Sequence, residues 1–136
     1  MTYLLDTDIL SNVMRRSPPN RLLVRLAAVE PEDQFTSSIT LGELLYGAYR
    51  FPDRAATLLE RIEAVIRPNL PVLPFDAAAA RRYGETRAYL EGHGTPMGDA
   101  DLRIASIALA RGLTLVTGNV RHFRRVPNLE VENWLE

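Results

Sequence analysis

The sequence contains no cysteine and no lysine. The first absence excludes disulfides, thiolate zinc sites and cysteine nucleophiles. The second leaves arginine as the sole source of all 16 Lys-plus-Arg positions. Mechanisms that need a Schiff-base lysine or the lysine of a phosphate-binding loop are closed to this chain. An excess of one charge is also missing: 16 basic and 17 acidic residues leave a formal −1. No bulk positive field announces a nucleic-acid partner, so attraction to phosphate has to come from local arginine clusters or a bound cation. No apolar run reaches the length of a membrane span, and the chain enters Tyr3-Leu4-Leu5 without the pattern of a signal peptide. The expectation is a cytoplasmic protein with no membrane partner.

What is present is the balance of a soluble globular chain, 136 residues with 46% hydrophobic and 24% charged, which suits one domain over residues 1–136. Tyr3-Leu4-Leu5 reads as a buried strand, followed after Asp6 by a helix with Ile9, Leu10, Val13 and Met14 on its apolar stripe. A second helix is expected from about Asn20 to Val29, and a second strand at Gln34-Phe35-Thr36-Ser37. Ser38 or Thr40 is expected to cap a third helix carrying Leu41, Leu44, Leu45 and Ala48, and a fourth runs from about Asp53 to Ile66, broken by Arg67-Pro68. Val72–Phe75 is a third strand, Asp76 caps a long helix to about Glu91, Leu113–Val116 is a fourth strand, and Leu129–Val131 is a short edge strand. Short strands alternating with helices argue an α/β protein with a mainly parallel sheet.

The most informative stretch is Gly98-Asp99-Ala100-Asp101-Leu102-Arg103-Ile104-Ala105. Ile104, Ala105, Ala108 and Leu109 mark a buried helical stripe, and Asp101 projects from the same face. A carboxylate there is costly unless something pairs with it. Asp99 reads as an ordinary N-cap or as a ligand, but capping does not account for Asp101. In parallel sheets, sites form outside the carboxyl ends of the strands. Asp6 ends the first strand and Asn119 follows the fourth, so these groups meet if the two strands are neighbours. Glu43 joins them if its helix starts at the same edge. Its spacing from Thr40 also fits a capping box, which is the structural reading of that residue. Asp8 is read as a cap or as support for the acids.

Crowded carboxylates repel, and burial adds a desolvation cost. A hard divalent cation, Mg²⁺ or Mn²⁺, offsets both and keeps waters for a phosphate substrate. Phosphodiester hydrolysis is the chemistry that follows, with a cation lowering the pKa of a bound water and stabilising the leaving oxygen.

With these residues assembled, the chain resembles the PIN-domain ribonucleases of the VapC toxin type. The resemblance is carried by Leu4–Ser11, Ser38–Gly47, Leu73–Asp76, Pro96–Asp101 with Ile104-Ala105, Val116–Asn119 with His122-Phe123, and Val131–Trp134, in order and nearly end to end. It implies a PIN-like three-layer fold and a metal-dependent endoribonuclease. It also implies a small VapB-like antitoxin partner and dimerisation. By position, Asp6, Glu43 and Asp101 match the acidic metal site, with Asp99 as an adjacent acid. Asn119 stands where some relatives have Asp, and His122 where many have Asp. Thr7, Thr40 and Thr117 lie beside the matched acids and are placed to hold waters or orient carboxylates.

Arg15 and Arg16 end the first helix, and Arg121, Arg124 and Arg125 follow the site turn; either set suits RNA phosphate, the alternative being solvated surface. His93 reads as inert, and His122 as structural or supporting rather than a general base. Tyr46 and Tyr49 share a helix face and read as core or as a dimer or antitoxin interface. Trp134 is expected to pin the C-terminus. Two rivals are set against this reading. Asp6-Thr7-Asp8 after a strand also resembles haloacid-dehalogenase-type phosphatases, and response-regulator receivers use similar acids. Both normally rely on a downstream basic residue, most often lysine, and neither explains Glu43. The other rival is a catalytically silent PIN-like module that only binds RNA or protein.

Overall fold

The computed structural model describes residues 1–66 and 69–136. Its sheet has five strands, β1 (Tyr3–Leu5), β2 (Gln34–Ser37), β3 (Val72–Leu73), β4 (Thr114–Val116) and β5 (Val131–Glu132). The order is β3-β2-β1-β4-β5, and every pairing is parallel. The helices are α1 (Thr7–Val13), α2 (Asn20–Ala27), α3 (Ser38–Tyr49), α4 (Ala55–Ile66), α5 (Ala77–Gly92), α6 (Asp99–Arg111) and α7 (Val120–Phe123). The expected break of α4 at Arg67-Pro68 lies outside the described residues. No helix among them is long and apolar enough to cross a membrane.

Alternation along the strands divides the core into two layers, because successive side chains leave opposite faces of a sheet. Leu4 and Leu115 pack with Leu90 of α5 and Leu102, Ile104, Ala105, Ile107 and Ala108 of α6. Leu5 and Val116 point the other way, into Ile9, Leu10, Leu22, Leu44, Ala48 and Ile62 from α1 to α4. The small side chains of Ala105 and Ala108, both fully buried, let α6 lie close on the sheet. Trp134, also fully buried, closes the second layer; its ring meets Tyr3 at 5.0 Å and its Nε1 donates to Glu132 Oε1 at 3.0 Å. This bears out its expected role at the C-terminus.

Local details differ from expectation, among them the edge strand, which forms at Val131–Glu132 rather than Leu129–Val131. Ser37, rather than Ser38 or Thr40, caps α3, its hydroxyl accepting the Thr40 N–H at 3.0 Å. Thr40 therefore occupies the third helical position, the capping box with Glu43 does not form, and Glu43 is left for other work. Gly98, not Asp99, is the N-cap of α6. The third strand stops at Leu73, since Pro74 has no N–H to continue a ladder. Gly112 ends α6 at φ +67°, with the Leu113 N–H returning to the Ala108 carbonyl at 2.9 Å, the left-handed close that favours glycine.

The order of the strands makes the site. From β1 the chain builds outward through β2 and β3, then crosses back to place β4 on the other side of β1. At such a reversal the connections leave in opposite directions and open a crevice at the carboxyl ends of the strands.

Candidate active site

The crevice lies where β1 and β4 run side by side, paired from Tyr3–Thr114 to Leu5–Val116. Asp6 follows β1 directly and caps α1, its Oδ1 accepting the Thr7 N–H at 2.8 Å. Its Oδ2 accepts the Thr117 hydroxyl at 2.8 Å from the end of β4. Only 6% of Asp6 is exposed. Burial, followed by the charge of Asp8, pushes its carboxyl from 3.8 up to about 7, against the pull of the Thr117 and Thr7 hydrogen bonds.

Glu43 arrives from α3. Its Oε1 accepts the Thr7 hydroxyl at 2.6 Å, and that hydroxyl lies 3.1 Å from the one on Thr40. The two threonines thus orient Glu43 across α1 and α3, as Thr117 orients Asp6. Asp101 arrives from the first turn of α6, with Oδ2 3.1 Å from His122 Nε2 on α7. Asn119 caps α7 without a side-chain hydrogen bond to it. Its N–H donates to Thr117 Oγ1 at 3.0 Å.

Asp6, Glu43, Asp101 and Asn119 all border one cavity of about 430 Å³, together with Thr7 and Asp8. Asp8 has a larger part than its sequence reading gave it. It lies in the first turn of α1, and its Oδ2 accepts the Gly118 N–H at 2.8 Å, tying α1 to the turn after β4. Its Oδ1 is buried without a hydrogen-bond partner, and burial raises its pKa. Gly118 permits this approach: a Cβ there meets Asp8 Oδ2 at 2.7 Å and Leu135 Cδ1 at 2.8 Å.

Asp99 is not drawn in. Its Oδ1 accepts the Tyr83 hydroxyl at 2.5 Å and its Oδ2 accepts Arg103 Nε at 2.7 Å. The Tyr83 hydrogen bond, then Arg103, hold its pKa below the ordinary range. Both oxygens are engaged on the α5–α6 surface, and Asp99, expected as a metal ligand beside Asp101, does not line the cavity that Asp6, Glu43 and Asp101 share. Arg125, expected among the RNA-binding arginines, has intramolecular partners. Its guanidinium donates to the His122 carbonyl and lies against His122 Nδ1 and the Thr95 and Pro96 carbonyls. Arg16, Arg121 and Arg124 stand exposed. Arg15 donates to Asn12 at 3.2 Å and borders an adjoining groove with Thr7, Glu43, Arg54 and Arg61. Tyr46 and Tyr49 are 66% and 63% exposed, which excludes the core reading for both.

The donor set suits a hard cation. Among the described residues no three acidic or imidazole groups are drawn up tightly enough to hold a metal as they stand. The acids border an open cavity instead, with room for a cation that keeps part of its water shell, as Mg²⁺ does. An unpaired buried oxygen on Asp8 and an Asp6 carboxyl destabilised by its surroundings are what such an ion relieves.

The PIN domain family model matches residues 3–129. A Shigella flexneri protein named tRNA(fMet)-specific endonuclease VapC is 35% identical over 136 residues, covering 98% of each chain. A chain in the crystal structure of VapBC2 from Rickettsia felis, bound to a DNA fragment from their promoter, superposes with a TM-score of 0.90 at 34% identity, covering 98% of this chain and 99% of that one. The structure of VapBC-1 from nontypeable Haemophilus influenzae gives a TM-score of 0.90 at 31% identity over the full length of both chains. Agreement of this extent, in sequence and in the path of the whole sheet, establishes that the chain belongs to the PIN-domain family, among the VapC ribonucleases of toxin–antitoxin systems.

Proposed function

We propose that this protein is a divalent-metal-dependent endoribonuclease whose cation is held by Asp6, Glu43 and Asp101, with Asp8 supporting. The observation that carries this reading is the convergence of acids from β1–α1, α3 and α6 on one cavity at the β1/β4 crevice. The nearest basic group described at Asp101 is His122. Such a site repels a phosphodiester unless a cation stands between them. When bound, Mg²⁺ or Mn²⁺ supplies water of lowered pKa and charge stabilisation for the phosphate.

The chain's own residues do the rest. Thr117 and the Thr7 N–H hold the Asp6 carboxyl by both oxygens, and Thr7 holds Glu43. Asp8 fixes the Gly118 turn and so sets the position of Asn119 at the rim. Arg121 and Arg124 are exposed beside that rim, placed to bind flanking phosphates of an RNA strand. A VapB-like antitoxin is the partner that would silence the site, and the exposed Tyr46 and Tyr49 face suits a second copy of the chain or that antitoxin. The location in this reading is cytoplasmic, where RNA and antitoxin are both present. The test is cleavage of structured RNA by the purified protein with Mg²⁺ or Mn²⁺. EDTA and Asp101→Asn should each abolish cleavage, and cleavage that survives both removes the reading.

A further inference from the structure

Arg125 spends its guanidinium inside the protein. Nε donates to the His122 carbonyl at 3.1 Å, Nη1 lies 3.4 Å from the carbonyls of both Thr95 and Pro96, and Nη2 is 2.8 Å from His122 Nδ1. A guanidinium has donors and no acceptor. Nδ1 must therefore accept, so it carries no proton, and the ring's N–H sits on Nε2. That nitrogen lies 3.1 Å from Asp101 Oδ2, which sets the protonated side of the imidazole against a carboxylate oxygen. The neighbouring Phe123 ring meets the imidazole nearly edge-on, at 5.3 Å and 77°, and helps fix its plane.

We propose that Arg125 and His122 form a relay that positions Asp101: Arg125 selects the tautomer, and the Nε2–H side of His122, 3.1 Å from Oδ2, draws that oxygen to itself and leaves Oδ1 for the cation. This rests on the reading of Asp101 as a cation ligand. Arg125 also contributes at the level of the backbone. Its contacts to Thr95 and Pro96 clamp the segment that leads into α6, the helix bearing Asp101, against α7. Both residues act through Asp101 and are positioning residues. A direct role for His122 as a nitrogen ligand needs the Nε2 lone pair, which this tautomer does not offer. The centre is therefore built from oxygen donors alone, despite an imidazole at its edge.

The tautomer is read directly from a long-range ¹H–¹⁵N spectrum of the imidazoles in the full-length, metal-free protein at about pH 8, above the ordinary histidine range. His93→Gln identifies the His122 signals. The expected result is a protonated Nε2 and a bare Nδ1; an Nδ1–H ring, or an averaged mixture, overturns the relay. Arg125→Met should turn the single tautomer into a mixture, and an unchanged spectrum removes Arg125 from it. Mn²⁺ titration followed by electron paramagnetic resonance reads the consequence. His122→Phe keeps a ring but loses the donor and should weaken Mn²⁺ binding about 10-fold, while His122→Gln restores an N–H and should return to within about 3-fold of wild type. Wild-type affinity in His122→Phe overturns the proposal. Should that variant fail to fold, the wild-type and Arg125→Met spectra still decide. Asp101→Asn separates the two ideas: undiminished Mn²⁺ binding there defeats the cation reading, while the wild-type spectrum still reports whether the relay exists.

Discussion

The Thr117 hydroxyl donates to Asp6 Oδ2 at 2.8 Å, joining the end of β4 to the end of β1 across 111 residues of chain. Thr117 Oγ1 itself accepts the Asn119 N–H at 3.0 Å, so one buried hydroxyl fixes both an acid and the turn beside it. Thr117→Val keeps the shape and loses both bonds. Leaving buried polar groups unpaired costs about 1–3 kcal/mol, which urea unfolding in EDTA should show. The Thr117 bond lowers the Asp6 pKa, so its loss should also move the acidic limb of the pH–rate profile to higher pH. A limb that stays in place would separate Thr117 from the titration of Asp6.

Asp6 makes the metal-free protein less stable as pH rises. Its pKa lies near 3.8 in the unfolded chain and about 7 in the fold, so between those values the fold binds more protons than the unfolded chain. Stability then falls from about pH 4 to about pH 7 and levels off above. Asp6→Asn keeps an acceptor for the Thr7 N–H and a group to meet Thr117, and carries no charge. In EDTA at about pH 8 it should be more stable than wild type by up to about 4 kcal/mol, with the gain vanishing near pH 4. Denaturant melts at several pH values check this; equal slopes for the two proteins would contradict it. The same variant should lose RNA cleavage at every pH.

Gly118 is held to glycine by closeness rather than by backbone conformation. A methyl group there meets Asp8 on one side and Leu135 on the other, both under 3 Å. Gly118→Ala should displace the Asp8 carboxylate from the Gly118 N–H and cost about 1–3 kcal/mol. It should also weaken Mn²⁺ binding, because the turn carrying Asn119 shifts. Calorimetric unfolding and metal titration on one preparation read both effects, and wild-type values in both would show that the turn absorbs the methyl.

Among the described residues, Arg121 and Arg124 stand exposed close in sequence to Asn119, while Arg125 is committed to internal acceptors. Replacing both with alanine should weaken binding of single-stranded RNA to a catalytically inactive Asp101→Asn background. It should also reduce the slope of log K against log salt by about 1.4, two contacts at roughly 0.7 each. An unchanged slope would place the RNA elsewhere.

Much of this was legible in the chain because it depends on period and punctuation. The apolar runs Tyr3–Leu5 and Thr114–Val116 sit between breakers and became adjacent buried strands. The small-residue stripe of α6 announced a helix pressed on a sheet, and Asp101 stood out against it. What was not legible depends on how neighbouring side chains share partners. Thr40 and Glu43 have capping-box spacing, yet Ser37 took the cap and left Glu43 to Thr7. Asp99 and Asp101 are two residues apart and both read as possible ligands in the chain, but helical positions two apart face different ways. One turned to Tyr83 and Arg103, the other to His122. Asp8 resembles a helix-end acid until the fold brings Gly118 to it from the far side of the sequence. The four-residue α7 is too short to show a helical period, so the contact between His122 on it and Arg125 just past its end had no sequence signal beyond a spacing of three.

The account stands or falls on where a divalent ion sits. Crystals of the wild-type protein soaked in Mn²⁺ and measured for anomalous scattering locate it without reference to activity. The account predicts a peak in the crevice between β1 and β4, with carboxylate oxygens of Asp6 and Asp101 within about 2.0–2.4 Å and Glu43 as a direct or water-bridged partner. A peak at Asp99 on the α5–α6 surface, or saturating Mn²⁺ with no density in the crevice, would contradict it.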